Sequence, residues 1–393
     1  MAYVVCTGAG AGLTKLLWSV ASCSRTLIAS EFPYDPRAVA NLIGRVPKQY
    51  CSPGAAAALA AAGYLKAQRC LVEQGKVATP IVSLGLTAAV STDRTRRGED
   101  KVFLAIRTGT GLATVSAVFP RARFSREEEG AICDLLGLNC LLWAAGIDQT
   151  PIAWIGARHA LSLRSAEVST DGMVRPAPVV VDLGEKPLPV LVDPDGGLAN
   201  PSQLSPAQHI IFPGSFNPLH FGHDLCAQLV VAMTGKQVVF ELAAANADKP
   251  GIDRAALAAR AFQFRGRWPV LVSEGLPLFI DKARAYGGFS FILGLDTAVR
   301  LFEPKYFGGE AGRDAAVAEL RELGTTFYVC NRGEDPLALT TLILDPRFAG
   351  LFVPVPVLVP VSSSDIRAAS PQPSPRGKGT DSASPSPSGS GLG

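Results

Sequence analysis

The chain lacks any apolar run near the roughly 20 residues that a membrane-spanning helix needs. Its eight cysteines (Cys6, Cys23, Cys51, Cys70, Cys133, Cys140, Cys226, Cys330) form no CxxC pair and lie far apart in segments that read as core. They read as free, buried thiols in a reducing compartment. The 37 basic and 34 acidic residues are scattered, leaving a formal charge of +3 and no basic stripe, which argues against nucleic acid as a partner. The opening AYVVCTGAG already reads as a strand entering a turn, which leaves no room for a leader peptide and makes the cytoplasm the expected location. No internal repeat is evident. Histidine is scarce as well: the chain has four, and three of them fall between His209 and Val231.

What is present is ample apolar material. With 393 residues, 48% of them hydrophobic, the chain has enough to bury a core in each of two ordinary domains of a globular protein. Residues 1–164 read as alternating strands and helices: strands at Tyr3–Cys6, Ile81–Leu86 and Lys101–Thr108, and helices at Leu13–Cys23, Pro53–Glu73 and Arg126–Leu142, the last after Ser125. The glycine-rich TGAGAGLTK loop lacks the Gly-Lys-Ser/Thr of a Walker loop, and Leu13 stands where the third glycine of GxGxxG belongs, so it reads as a structural turn. Residues 165–208 are rich in proline and read as an extended connector, in which VVVDLG is a candidate edge strand; His159, just before it, reads as a packing residue.

Residues 209–370 form the second expected domain. Strands at Ile210–Phe212, Val238–Leu242, Val270–Ser273, Phe289–Leu293, Thr325–Cys330 and Leu351–Val361 alternate with helices, among them Arg254–Phe264, Pro277–Tyr286 and Asp314–Leu323. Such alternation predicts a doubly wound parallel sheet with ligands at the carboxyl ends of its strands. Polar motifs fall at those ends: Gly294 and Asp296 in ILGLDT, Asn331 and Arg332 in CNRGED, and Ser362–Arg367 in SSSDIR. The tail, 371–393, has almost nothing to bury and is expected to be disordered.

In HIIFPGSFNPLHFGHDLCAQLVV an apolar strand runs through a Gly/Pro turn into a helix, with His220 and His223 at its entrance. Three residues apart, the two imidazoles reach one ligand, and the N–H groups of the first helical turn favour an anion. HxxH alone also describes solvated or core histidines, or half a zinc site. Here the Gly, Phe, Pro, Gly and both His positions match together, and GSFNPLHFGH resembles the GxFxPxHxGH signature of the nucleotidylyltransferases. Among these it is most similar to the nicotinamide-mononucleotide adenylyltransferases. SSSDIR resembles the same family's ISSTxIR motif, with Ser363 or Ser364 read as a helix cap, and Asp365 placing a negative charge near an anionic ligand. ANADKPGIDRAALAARAFQF is similar to the pattern after that family's second strand at Asn246, Lys249 and Arg260.

The resemblance implies a Rossmann-like nucleotidylyltransferase that moves AMP from ATP to nicotinamide or nicotinate mononucleotide, releasing pyrophosphate. It assigns His220 and His223 to the phosphates and Arg367, with Ser363 and Ser364, to the leaving pyrophosphate. Gly214, Ser215 and Phe216 would allow close backbone approach, Gly294 and Asp296 would hold the adenosine half, and Arg332 would add a nucleotide contact. Lys249 would meet the acceptor's phosphate, and Mg²⁺ would arrive with ATP, without a protein metal cage. Cytidylyl or adenylyl transfer to another phosphate, and a non-catalytic nucleotide-binding scaffold, are the competing readings. ATP and a mononucleotide are then the partners, with no membrane or nucleic acid; a homo-oligomer is compatible.

A second resemblance covers residues 2–147. CTGAG, EFPYDPRAVANLIG and GLTAAVSTDRTRRGEDKVFLAI are similar to the carboxy-terminal domain of the CinA proteins, a family whose active members hydrolyse the amide of nicotinamide mononucleotide. That implies a three-layer α/β domain. The family's presumed nucleophilic serine is replaced by Val5, which carries no hydroxyl, and Cys6 alternates to the opposite face of the strand. The domain therefore reads as an inactive relative, with Tyr34 and Thr92-Asp93-Arg94 as remnants of a pocket.

Overall fold

The computed structural model describes residues 1–93, 97–147, 162–164, 166–168, 174–183, 187–244, 252–276, 278–331 and 336–369. Arg94, His159, Asn246, Lys249, Arg332 and the tail 371–393 lie outside them. The chain is an α/β protein with two mixed sheets.

In the first sheet β1 (Ala2–Thr7) lies between two parallel neighbours, β2 (Leu27–Glu31) and β3 (Val82–Ala89). Then β4 (Lys101–Arg107) and β5 (Leu112–Val118) continue it antiparallel. Period-two alternation sorts β1 between two buried clusters. Val4 and Cys6 face Leu84, Leu86 and Leu136 under α1 (Ala11–Trp18) and α4 (Arg126–Ala144). Tyr3 and Val5 face Val39, Ile43 and Leu59 under α2 (Pro36–Ile43) and α3 (Pro53–Glu73). The sheet is thus covered on both faces. Ser52 caps α3 by accepting Ala55 N–H at 3.1 Å, with Pro53 at the first helical position where its missing N–H costs nothing. The alanine run of α3 lets it lie directly on the sheet: a Cβ on Gly85 would meet Ala56 O at 2.2 Å. The helix expected over Leu13–Cys23 stops at Trp18, where Ser19 Oγ turns back to Lys15 O and offers the chain a local alternative to continuing.

The second sheet contains six parallel strands: β11 (His209–Pro213), β12 (Gln237–Ala243), β13 (Val270–Ser273), β14 (Phe291–Gly294), β15 (Phe327–Asn331) and β16 (Phe352–Leu358). Their spatial order is β13-β12-β11-β14-β15-β16, so the direction of winding reverses at β11. Ile210, Phe212, Val238 and Phe240 pack on one face, and Ile211, Val239 and Leu271 on the other, as near-continuous apolar strands buried on both faces require.

The stretch read from its prolines as an extended connector, together with residues 162–164 just before it, supplies strands to both sheets. β6 (Ser162–Arg164) and β8 (Val174–Pro178) pair with β5, and β7 (Ala166–Val168) pairs with β8. On the other side β9 (Val190–Val192) pairs antiparallel with β13, and β10 (Leu198–Ala199) pairs with β9. The outermost strand on this side is therefore β10, with β9 next to it, and the described part of VVVDLG, residues 179–183, forms no strand. Val181 and Leu183 of that run instead pack into the cluster with Phe264.

The two sheets are not separate bodies joined by a tether. Leu65 of α3 belongs to the same buried cluster as Phe212, Phe216 and Phe240, and a Cβ on Gly266, whose φ is +79°, would meet the Ala57 carbonyl at 2.6 Å. All eight cysteines are free; five are buried, and Cys23, Cys51 and Cys70 are partly exposed. Among the described residues no helix is long and apolar enough to cross a membrane.

Candidate functional site

The chain leaves β11 through Gly214–Leu219 and enters α5 (Phe221–Thr234), with His220 as its N-cap. His220 Nδ1 accepts Gly222 N–H at 3.2 Å, and His223 Nδ1 accepts His220 N–H at 3.2 Å, a capping box built from two imidazoles. Because each Nδ1 accepts, each neutral ring carries its proton on Nε2. The ring centroids lie 3.7 Å apart, and both rings line one cleft.

The first-turn N–H groups expected to greet an anion are already engaged. Phe221 N–H goes to Gln68 Oε1 at 2.8 Å, Gly222 N–H to His220, and His223 N–H to His220 O at 3.0 Å. Both imidazoles, and not these backbone groups alone, line the cleft. His209, the third histidine of the stretch, stays at the start of β11 beside Ser205.

Phe216 turns its ring down beneath the site. Its φ of 40° is costly for a bulky residue, and the ring is clamped edge-on by Phe212, Phe240, Phe264 and His223 at centroid distances of 5.4, 5.0, 5.5 and 5.0 Å. A Cβ on Gly214 would come within 2.6 Å of that ring, so glycine is required there. Gly214 and Ser215 line the cleft, and Arg260 Nη1 donates to Ser215 O at 3.4 Å.

Against the Asn217–Pro218 turn stands α11 (Ser363–Ala369). Ser362 caps it, in place of the Ser363 or Ser364 expected: Asp365 N–H donates to Ser362 Oγ at 3.1 Å, and Asp365 Oδ2 accepts from Ser362 N and Oγ, each at 2.7 Å. That pairing engages the Asp365 carboxylate on the cap. Ser363 Oγ donates to Pro218 O at 2.9 Å, while Arg367 donates from Nη2 to Ser364 Oγ at 2.9 Å and from Nη1 to Asn217 O. The two motifs are therefore stitched together across the sheet.

The cleft between them, about 460 Å³, falls in the size range of small-ligand sites and opens at the carboxyl ends of β11, β12, β14 and β15. Gly294, the N-cap of α8 (Leu295–Arg300), and Asp296, Thr297 and Arg300 within that helix line it, as does Asn331. Lys282, on α7 (Phe279–Tyr286), also lines it and was not among the residues singled out from sequence. Its ammonium contacts both oxygens of the fully buried Glu241 at 2.8 and 2.7 Å, and Ser273 and Tyr286 donate to the same carboxylate at 2.8 and 3.1 Å. Burial and the Glu241 charge push the Tyr286 phenol up. A lone Glu in the apolar run VVFELA was the one available signal for this network. Among the described residues no group of three or more His, Cys, Asp or Glu side chains is gathered as a metal cage.

In the first sheet's unit, the GAGAG turn does not present free helix N–H groups. Asp134 of α4 sits over the α1 N-terminus and accepts Leu13 N–H at 2.9 Å. Val5 is buried against α3, and Cys6 is buried on the other face, where desolvation and the Asp134 charge push its thiol well up. Tyr34 is largely exposed.

No protein-family model and no curated protein matches the chain. Among solved structures it is similar to a CinA superfamily protein of Escherichia coli, at 15% identity and a TM-score of 0.29, over 36% of this chain and 79% of that one. A competence or damage-inducible protein of Enterobacter asburiae is similar at 12% identity and a TM-score of 0.29, over 36% and 86%. The competence damage-inducible protein A of Klebsiella pneumoniae follows at 13% and 0.27, over 37% and 86%. These are distant, partial likenesses.

Proposed function

We propose that the chain is a nucleotidylyltransferase that transfers AMP from ATP to nicotinamide or nicotinate mononucleotide, in the synthesis of NAD-type dinucleotides. The observation that carries this reading is the pair of stacked imidazoles, each with Nδ1 tied to a backbone N–H, lining the same cleft as Arg367. A cleft at the carboxyl ends of parallel strands, where the strand order reverses, is where doubly wound sheets bind nucleotides.

The acceptor's phosphate oxygen attacks the α-phosphorus of ATP. The new P–O bond forms as the bond to the β-phosphate oxygen breaks, and pyrophosphate leaves with the electron pair. That oxygen is already ionised at neutral pH, so no general base is required. The protein supplies alignment and positive charge for the oxygens that gain charge in the transition state. His220 and His223 donate from Nε2 to the phosphates; Arg367, with the Ser362-capped helix, meets the leaving group. Gly294 and Asp296 hold the adenosine half. Asp296 is the one carboxylate among the described residues that line the cleft, so a Mg²⁺ would arrive with ATP without a protein cage and would supply charge neutralisation to the phosphates. Lys249 and Arg332 are proposed as acceptor and nucleotide contacts on sequence grounds alone. The first sheet's unit is read as lacking amidase activity, because Val5 has no nucleophilic atom and Cys6 is sealed under α1 and α4.

Pyrophosphate release by the purified chain with ATP or CTP and a panel of acceptor phosphates tests the assignment. Release specific to pyridine mononucleotides supports it, and release only with CTP or another acceptor phosphate would replace it.

A further inference from the structure

Two glutamine side chains hold the signature turn, and one of them comes from the first sheet's unit. Gln263, buried, accepts Leu219 N–H through Oε1 at 2.7 Å and donates from Nε2 to Phe216 O at 3.0 Å, spanning Asn217 and Pro218. Gln68 of α3, also buried, accepts Phe221 N–H through Oε1 at 2.8 Å. Phe221 opens α5, so this N–H is one that the helix cannot satisfy itself. It belongs to the peptide that follows His220, and the orientation of that peptide fixes the backbone from which the His220 ring projects. The next donor along, Gly222 N–H, returns to the His220 ring itself.

The first unit also underpins the other glutamine. Arg107 of β4 donates to Phe262 O at 3.1 Å and to Gln263 O at 3.3 Å from a fully desolvated position against the Phe262 ring. A contact serving only to glue the two units together has no need to end on the peptide next to the stacked imidazoles. Arg45 and Asp195 make such a contact, 2.6 Å long, away from the turn.

We infer that Gln68 is a positioning residue for His220, so that the first sheet's unit forms part of the machinery of the transfer site. This rests on the function proposed above. An acceptor on Phe221 N–H keeps the peptide after His220 in one orientation, and with it the place of the His220 ring in the cleft wall. Without it, a buried donor goes unpaired and the turn re-orients to find a partner.

The test uses the full chain with Gln68→Met, which keeps the side-chain volume but loses the oxygen acceptor, and Gln68→Glu, which keeps an oxygen facing the positive end of α5. Arg45→Ala serves as the interface control. Steady-state kinetics with ATP and nicotinamide mononucleotide are read beside the imidazole nitrogen resonances without substrate, which four histidines make resolvable. Gln68→Met is expected to lower kcat by about 10- to 100-fold with KM within about threefold, and to move the His220 and His223 resonances but not that of His209. Gln68→Glu is expected to restore both readouts, and Arg45→Ala to change neither. Unmoved resonances in Gln68→Met, loss in Gln68→Glu as large as in Gln68→Met, or an equal loss in Arg45→Ala would overturn the inference. If the wild-type chain turns over no acceptor, the functional reading fails, and the resonances alone decide whether Gln68 positions the ring.

Discussion

His223 Nδ1 accepts the backbone N–H of His220 at 3.2 Å, so each histidine is at once a structural cap and a candidate phosphate ligand. The two roles separate by substitution. Asparagine is among the best N-cap residues but has no donor where Nε2–H stands. His220→Asn is expected to melt close to the wild type yet lose at least about 100-fold in turnover, whereas His220→Ala loses turnover and about 1 kcal/mol of stability. Thermal melts beside pyrophosphate assays check this. Near-normal turnover in His220→Asn would leave the ring a cap and nothing more.

The Glu241–Lys282 pair is buried on both sides, with Lys282 reaching the cleft wall. Removing one partner strands the other charge. Lys282→Met is expected to cost about 3–5 kcal/mol, and Glu241→Gln with Lys282→Met to recover most of it. Denaturant unfolding of the single and double variants measures the difference. A cost under about 1 kcal/mol for the single variant would mean that Glu241 finds compensation from Ser273 and Tyr286 alone.

Much of this architecture was legible in the chain because it is local. Alternating apolar runs marked β1, β12 and β13; the alanine run from Pro53 marked α3, and Ser125 marked the start of α4. The signature turn and SSSDIR were visible because their residues are consecutive. What escaped was long-range. Gln68 reaches Phe221 from 153 positions away, and Arg107 reaches Gln263 from 156. Neither spacing leaves a pattern, and the first consumes a helix N–H that local reasoning left open for an anion. The cap of α11 was misplaced by one residue although Ser362-x-x-Asp365 carries a capping pattern; the serine run obscured which hydroxyl turns inward.

For the first sheet's unit, nicotinamide mononucleotide is expected to release no ammonia when incubated with the full chain. Cys6 is expected to resist alkylation at pH 8 in the folded protein, since burial raises its thiol and leaves almost no thiolate. Ammonia release that disappears in Cys6→Ala would make that thiol a nucleophile and reverse the reading.

Adenylyl transfer, as proposed, takes place in the cleft that His220 and Arg367 line. Its most direct measurement is dinucleotide and pyrophosphate formed together by the full chain from ATP, Mg²⁺ and nicotinamide or nicotinate mononucleotide, beside His220→Asn and Arg367→Ala. The account predicts one pyrophosphate per dinucleotide in the wild type and losses of at least about 100-fold for His220→Asn and about 10-fold for Arg367→Ala. No product with either mononucleotide, or product formed undiminished by both variants, would contradict it.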